Sequence, residues 1–224
     1  MSEFLSELDE PIILNLIGDE PPEKIAKLFQ KLGVTDQADI LALFPDEKTQ
    51  SVLDLLNAEK QEEVEEIMSY PVDSAASIMT TDVFTLHQNT IAYEAIKELQ
   101  RQEKSEMVFY LYITDDDNRL TGVISLRDLV TTPPETSLID IMTKNVVSVR
   151  PETDQEEVAK IVARYNYLAI PVVDVDDSML GIVTVDDVVD VIREEATEDF
   201  LQITVYLGIR YGNKLPDVVR CRDE

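Results

Sequence analysis

The sequence predicts an α+β chain: an all-helical N-terminal region, two copies of a β-α-β-β-α unit, and a C-terminal helix. Three observations carry this. Residues 1–70 space their apolar side chains as helices do, between Pro and Gly stops. Residues 78–190 contain an internal repeat. The stretch TVDDVVDVIREEATED (184–199) keeps helical spacing although seven of its sixteen residues are acidic.

The helices come first. EFLSELDEPIILNLIG runs to Gly18, and PPEKIAKLFQKLG opens on prolines and closes on Gly33, the usual asymmetry of helix ends. Ile25, Leu28, Phe29 and Leu32 fall on one helical face. TDQADILALF follows, with Thr35 or Asp36 as the expected N-cap. DEKTQSVLDLL and AEKQEEVEEIMSY complete the set. The connections are short, so successive helices are expected to pair as antiparallel hairpins.

The repeat organises the rest. IMTTDVFTLHQNTIAYEAIKEL (78–99) aligns with IMTKNVVSVRPETDQEEVAKIV (141–162). LTGVISLRDLV (120–130) aligns with LGIVTVDDVVD (180–190). Between them lie FYLYITDDDNRLTGVIS and LAIPVVDVDDSMLGIVT, each a strand, an Asp-rich turn and a strand. The first copy is longer, with the surplus placed near RQEKSEM. A unit this small is marginal alone, so each copy is expected to bury one face of a three-stranded sheet against the other. The divisions read from the sequence are 1–72, 73–135, 136–199 and a tail, 200–224.

Composition excludes several functions. Net charge is −27, from 46 acidic and 19 basic residues, which disfavours nucleic acid and anionic lipid. One cysteine, Cys221, allows no internal disulfide, and one histidine, His87, leaves no Cys/His zinc set. His87 lies in a polar turn and reads as an ordinary surface residue. No P-loop and no nucleophile beside a base is present, so the chain does not read as an enzyme. The N-terminus lacks the pattern of a signal peptide. The longest nearly apolar run, FLQITVYLGI (200–209), is half a membrane span. A cytoplasmic setting is expected.

The doubled unit resembles a pair of cystathionine-beta-synthase (CBS) domains. The residues that carry this are IMT at 78–80 and 141–143, GVISLRD (122–128), IPVVD (170–174) and GIVTVDD (181–187). With the helical region before it, YPVDSAASIMTTDVFTL (70–86) at the junction and TVDDVVDVIREEATED at the end, the chain resembles the cytosolic part of MgtE-type magnesium channels. That resemblance implies an acidic N domain, a CBS pair, a connecting helix, and gating by Mg²⁺. It implies a homodimer formed through the CBS pair, and a transmembrane pore domain as a partner outside this sequence.

The acidic helix has its own logic. Asp190, Glu194 and Glu198 form one stripe, while Val188, Val189, Ile192 and Ala196 lie opposite and are expected to pack on the sheet. Six like-charge pairs at i,i+3 or i,i+4 together cost about 1–3 kcal/mol. Asp186 and Asp187, in the first turn, instead favour the positive helix end. A solvated face satisfies these numbers. So does neutralisation by Mg²⁺, which takes one or two carboxylates and keeps several waters. Asp36 and Asp39, one turn apart, are candidates for the opposing face. The resemblance adds Asp187, Asp190, Glu195, Glu198 and Asp199 as metal ligands.

A second reading concerns S-x-x-D at Ser125/Asp128 and T-x-x-D at Thr184/Asp187. In CBS domains this pattern resembles a ribose-binding signature, which implies ATP or another adenine nucleotide. The same pattern is a capping motif that needs no ligand. The second copy, with Pro171, reads as the better cleft; FYLYITDDD in the first lacks that proline. A free-standing nucleotide sensor acting on a partner protein is the alternative function.

Overall fold

The structure is a computed structural model, and it describes residues 8, 10–101, 109–193 and 195–197. Five helices come first: α1 (Glu10–Ile17), α2 (Pro22–Phe29), α3 (Val34–Ala42), α4 (Asp46–Leu53) and α5 (Ala58–Met68). They do not pair as sequential hairpins. The closest packing joins α2 to α4 and α3 to α5, each helix to the next but one. These helices of eight to eleven residues are only two or three turns long, which leaves little length for neighbours to pack along one another.

The start of α3 also differs from expectation. Its N-cap is Gly33, with no side-chain cap, and neither Thr35 nor Asp36 fills that role. The completely buried Gln37 donates from Nε2 to Phe29 O (3.0 Å) and Leu32 O (2.9 Å), so a side chain of α3 pins the turn that follows α2. Thr35 Oγ1 is thereby free of capping and donates to Met79 O at 2.6 Å, outside the helical region altogether.

The first copy forms β1 (Thr85–His87), α6 (Ala92–Arg101), β2 (Tyr110–Thr114), β3 (Leu120–Ser125) and α7 (Leu126–Thr131). Its sheet has the order β1-β2-β3, with β1 and β2 parallel and β2 and β3 antiparallel. A one-turn helix, α8 (Leu138–Ile141), leads to the second copy: α9 (Gln155–Tyr165), β4 (Ala169–Val173), β5 (Met179–Thr184) and α10 (185–193). Residues 195–197 are also helical. The surplus near RQEKSEM falls on 102–108, outside the described residues.

The second copy's first strand shrinks to one bridge, Val149 to Val172, so its sheet has two full strands, not three. Proline explains the loss. In the first copy Gln88 N donates to Thr114 O at 2.9 Å. Pro151 occupies the corresponding position and has no N–H. Arg150 Nη1 reaches Val173 O instead, at 3.3 Å, while its Nη2 pairs with Asp177 at 2.9 Å.

The copies are interleaved. The segment before each copy crosses to edge the other copy's sheet. Residues 74–80 bridge the second copy at Asp154 and Ile182, and 137–143 bridge the first at Ile91 and Val123. Two glycines admit these straps. A Cβ on Gly122 would meet Met142 Sδ at 2.6 Å; one on Gly181 would meet Thr80 O at 2.7 Å and Met79 Sδ at 2.8 Å. The repeated IMT and the repeated glycine are thus one device, with Met of each copy seated on Gly of the other.

The sheets face each other through Tyr112, Val173 and Met179, with Tyr110, Leu120, Val123 and Ile182 around them. The hairpin tips also exchange backbone bonds, Leu120 N to Asp177 O (2.9 Å) and Met179 N to Asn118 O (3.1 Å). Asn118 and Asp177 hold positive φ there, a conformation that Asn and Asp tolerate. The cores divide unevenly. Leu86, Leu111, Ile113, Ile124, Leu129 and Leu138 form the first copy's own core. The helical region shares one continuous core with the second copy, through Ala75, Ala76 and Met79 to Val158, Ile170, Val188 and Val191.

Candidate functional site

Asp36 and Asp39 both lie on α3, one turn apart. Burial, and then repulsion from Asp36, pushes the Asp39 carboxyl up to about 6. By surface area Asp39 is exposed, so its crowding comes from surrounding atoms and not from a sealed cavity. The direction follows from either view: the pair holds its second negative charge reluctantly.

The acidic helix places its candidates differently. Asp187 is half-buried, and burial raises its pKa against the opposing pull of hydrogen bonds from Thr184. Thr184 donates to Asp187 Oδ2 from its backbone N at 3.0 Å and also from its hydroxyl, and the hydroxyl reaches Asp186 Oδ1 at 2.6 Å. Asp190 is exposed and accepts from Arg193 Nη1 at 3.1 Å. Glu195 accepts from Gln155 Nε2 at 3.2 Å. Glu194, Glu198 and Asp199 have no described side chains. Among the described residues, no three Asp, Glu, His or Cys side chains stand together as a metal-holding group.

The packing side of α10 needs correction. Val188 and Val191 are buried, whereas Val189 (41%) and Ile192 (49%) are largely exposed. The i,i+3 step from Val188 to Val191 sets the buried stripe, so the buried face lies one residue round from the expected one. Ile192 instead lines a groove of about 240 Å³ between α9 and α10, with Ala159, Ala163 and Val191 beneath and Glu156, Lys160 and Glu195 around it.

The S/T-x-x-D pairs sit at the ends of β3 and β5, where each strand turns into a helix. Ser125 is the N-cap of α7; it accepts from Asp128 N at 3.1 Å and donates to Asp128 Oδ2 at 2.6 Å. Each hydroxyl is therefore paired with a carboxylate of its own turn, so the capping role holds without a ligand. Pro171 is buried in β4 and pairs with Ile182.

Two residues take roles in the structure that the sequence did not indicate. Thr35 ties α3, and with it Asp36 and Asp39, to the strap that pads β5. Asn166 ends α9 in the left-handed conformation (φ 52°), which explains an amide at that position. His87 ends β1, half-buried, with Nε2 3.1 Å from Asp116 Oδ1 but not aligned as a hydrogen bond. Among the described residues no helix is long and apolar enough to cross a membrane.

Comparison with known proteins agrees with the architecture. The family model of the MgtE intracellular N domain matches residues 1–73, and that of the CBS domain matches 75–135 and 138–194. The chain is 42% identical over 151 residues to the magnesium transporter MgtE of Thermus thermophilus, covering 67% of this chain and 34% of that protein. It is 34% identical over 201 residues to the Bacillus subtilis magnesium transporter MgtE, covering 89% of this chain and 45% of that one. It therefore spans less than half the length of these relatives. Among solved structures it is similar to the cytosolic domain of the Mg²⁺ channel MgtE in complex with ATP. There the TM-score is 0.77 and the identity 36%, over 85% of this chain and 78% of that one. An MgtE N domain seated on the second of two interleaved CBS domains is the architecture found here, and the chain belongs to the MgtE family.

Proposed function

We propose that this chain is the Mg²⁺-sensing and gating region of a magnesium transporter, in which divalent cations bridge acidic surfaces and favour a closed state. The observation that carries this reading is the Asp36–Asp39 pair. Burial first, and repulsion from Asp36 second, raise Asp39 to about 6, and a nearby cation would offset both by favouring the charged carboxylates. Hard carboxylate oxygens suit Mg²⁺, and the partial hydration that Mg²⁺ keeps suits a site with no protein cage. Asp187, Asp190, Glu195, Glu198 and Asp199 are the proposed partners on and beyond α10. The transporter's pore domain, a position on the cytosolic face of the membrane, and a homodimer through the CBS pair belong to the same proposal.

The test follows the molecule's radius by X-ray scattering during Mg²⁺ titration at fixed ionic strength. Compaction at millimolar Mg²⁺ is expected, with at least a roughly tenfold weaker response in D36N/D39N. An unchanged radius across the titration would sink the reading. So would a normal response in both D36N/D39N and D187N/D190N.

A second reading, adenine-nucleotide binding, rests on a separate observation. Thr184 and Asp187 stand at the end of β5, with Pro171 on the neighbouring strand. A ribose diol would exchange with the Thr184–Asp187 bond, and the small side chains of β4 would leave the base room. The relative noted above was crystallised with ATP. In this chain the nucleotide would modulate the Mg²⁺ response, or, in a free-standing sensor, act on a partner protein.

A further inference from the structure

The N domain is itself periodic. Its five helices start at residues 10, 22, 34, 46 and 58, one every twelve residues, so a helix pair recurs every 24. Pro21 and Pro45 are the N-caps of α2 and α4, and Gly33 and Asn57 those of α3 and α5. FLSEL (4–8), LFQKL (28–32) and VLDLL (52–56) recur at the same interval. The packing of α2 on α4 and of α3 on α5 completes the pattern of a short solenoid, in which each helix meets the next of its own layer.

The outermost repeat of a solenoid has a neighbour on one side only and needs polar side chains on the other. α1 lacks them. Ile13 and Ile17 are buried, but Ile12 (44%) and Leu16 (55%), one turn apart on another face, are exposed. The period makes this exposure specific. Leu16 corresponds to Ile40 and Val64, which are 2% and 0% exposed. Ile12 corresponds to Asp36 and Lys60. A position that is core in both later helices thus lies open on α1, and a position that is charged in both is apolar. Such a face suits one more helix of the series.

Charge selects the kind of helix. Residues 1–20 hold six acidic residues and no basic one. A lysine from another helix already closes the end of α1, where Lys48 Nζ donates to Gly18 O at 2.5 Å. A second copy of the chain would bring the same six acids against these. We propose that the Ile12–Leu16 stripe is a docking surface for a partner protein that presents an amphipathic helix with an apolar stripe and Lys or Arg on its flanks. That helix stacks on α1 as a further member of the twelve-residue series, and its basic flanks meet the acids of residues 1–20. The proposal does not depend on the Mg²⁺ reading.

Fluorescence anisotropy with the whole chain at physiological ionic strength tests it. The probe is a stapled, labelled peptide with Leu at i, i+3, i+4 and i+7 and Lys elsewhere. Saturable binding of one equivalent is expected, at least roughly tenfold tighter than for the same residues scrambled or for a version with Glu in place of Lys. I12S/L16S is expected to weaken it at least roughly tenfold, while V189S/I192S, on the exposed side of α10, binds as the parent does. Leu16→Gln alone serves if I12S/L16S does not melt cooperatively. No saturable binding, equal binding by the scrambled or Glu peptide, or a loss that follows V189S/I192S instead would overturn the proposal. So would a dimer in sedimentation that I12S/L16S dissociates, since a second copy would then cover the stripe.

Discussion

Asp39 makes a single-residue prediction with a definite sign. Its folded pKa of about 6 lies above the ordinary value of 3.8, so between those limits the folded state holds more proton than the unfolded one. Stability contributed by the neutral carboxyl is present below about pH 4 and is lost as pH rises through 6. Asp39→Asn removes the titration. Denaturant unfolding of both proteins from pH 4 to 7 is expected to show the variant gaining on the parent across that window and then running parallel. The gain is about 1 kcal/mol or less, because the group is exposed. A constant difference at every pH would refute the assignment. Mg²⁺ at this pair would also compete with the proton, so its affinity is expected to fall as pH drops below 6. The pair itself was legible in TDQAD, because residues three apart on a helix are neighbours. The role of Thr35 was not, because its acceptor lies 44 residues away in sequence.

At the scale of elements, the straps and their glycines decide stability. Gly181→Ala drives a methyl onto Thr80 O, a backbone atom that accepts from Ile182 N at 3.0 Å while Thr80 N donates to Ile182 O at 2.8 Å. Gly122→Ala meets only the flexible end and stem of Met142. Overpacking of this kind costs about 1–3 kcal/mol, and Gly181→Ala is expected at the upper end and Gly122→Ala at the lower, by urea unfolding. Arg150→Ala removes a donor to Val173 O and a partner of Asp177, and is expected to cost about 1 kcal/mol. The repeat made the elements and their order readable, since glycine, IMT and S/T-x-x-D recur at matching places. It did not show that the straps cross, because a sequence repeat is blind to which sheet a strand joins. Nor did it show that Pro151 shortens the second copy's sheet, or that the helices of the N domain stack on alternate neighbours. Those outcomes depend on one missing N–H and on the angles of short turns.

For the molecule as a whole, charge dominates. A net −27 on 224 residues opposes compactness through self-repulsion. Salt screens it over a Debye length of about 8 Å at physiological strength. Thermal midpoint is therefore expected to rise with KCl. At matched ionic strength MgCl₂ is expected to raise it further by a few degrees, and equal midpoints in the two salts would argue for screening alone. The composition already said this much. What it could not say is where the repulsion is felt. The N domain and the second CBS copy share one core, so the seam between them is hydrophobic.

The crossed straps carry a consequence for descent. A chain cut between Thr132 and Ser137 parts each sheet from the segment that edges it, so neither half is a complete heritable module. Before such a gene was doubled, a single copy would have had to lend its arm to a sibling molecule and borrow one back. Within one chain both arms are supplied internally, and the methionine–glycine seats at Met142–Gly122 and Met79–Gly181 are where each copy receives the other's.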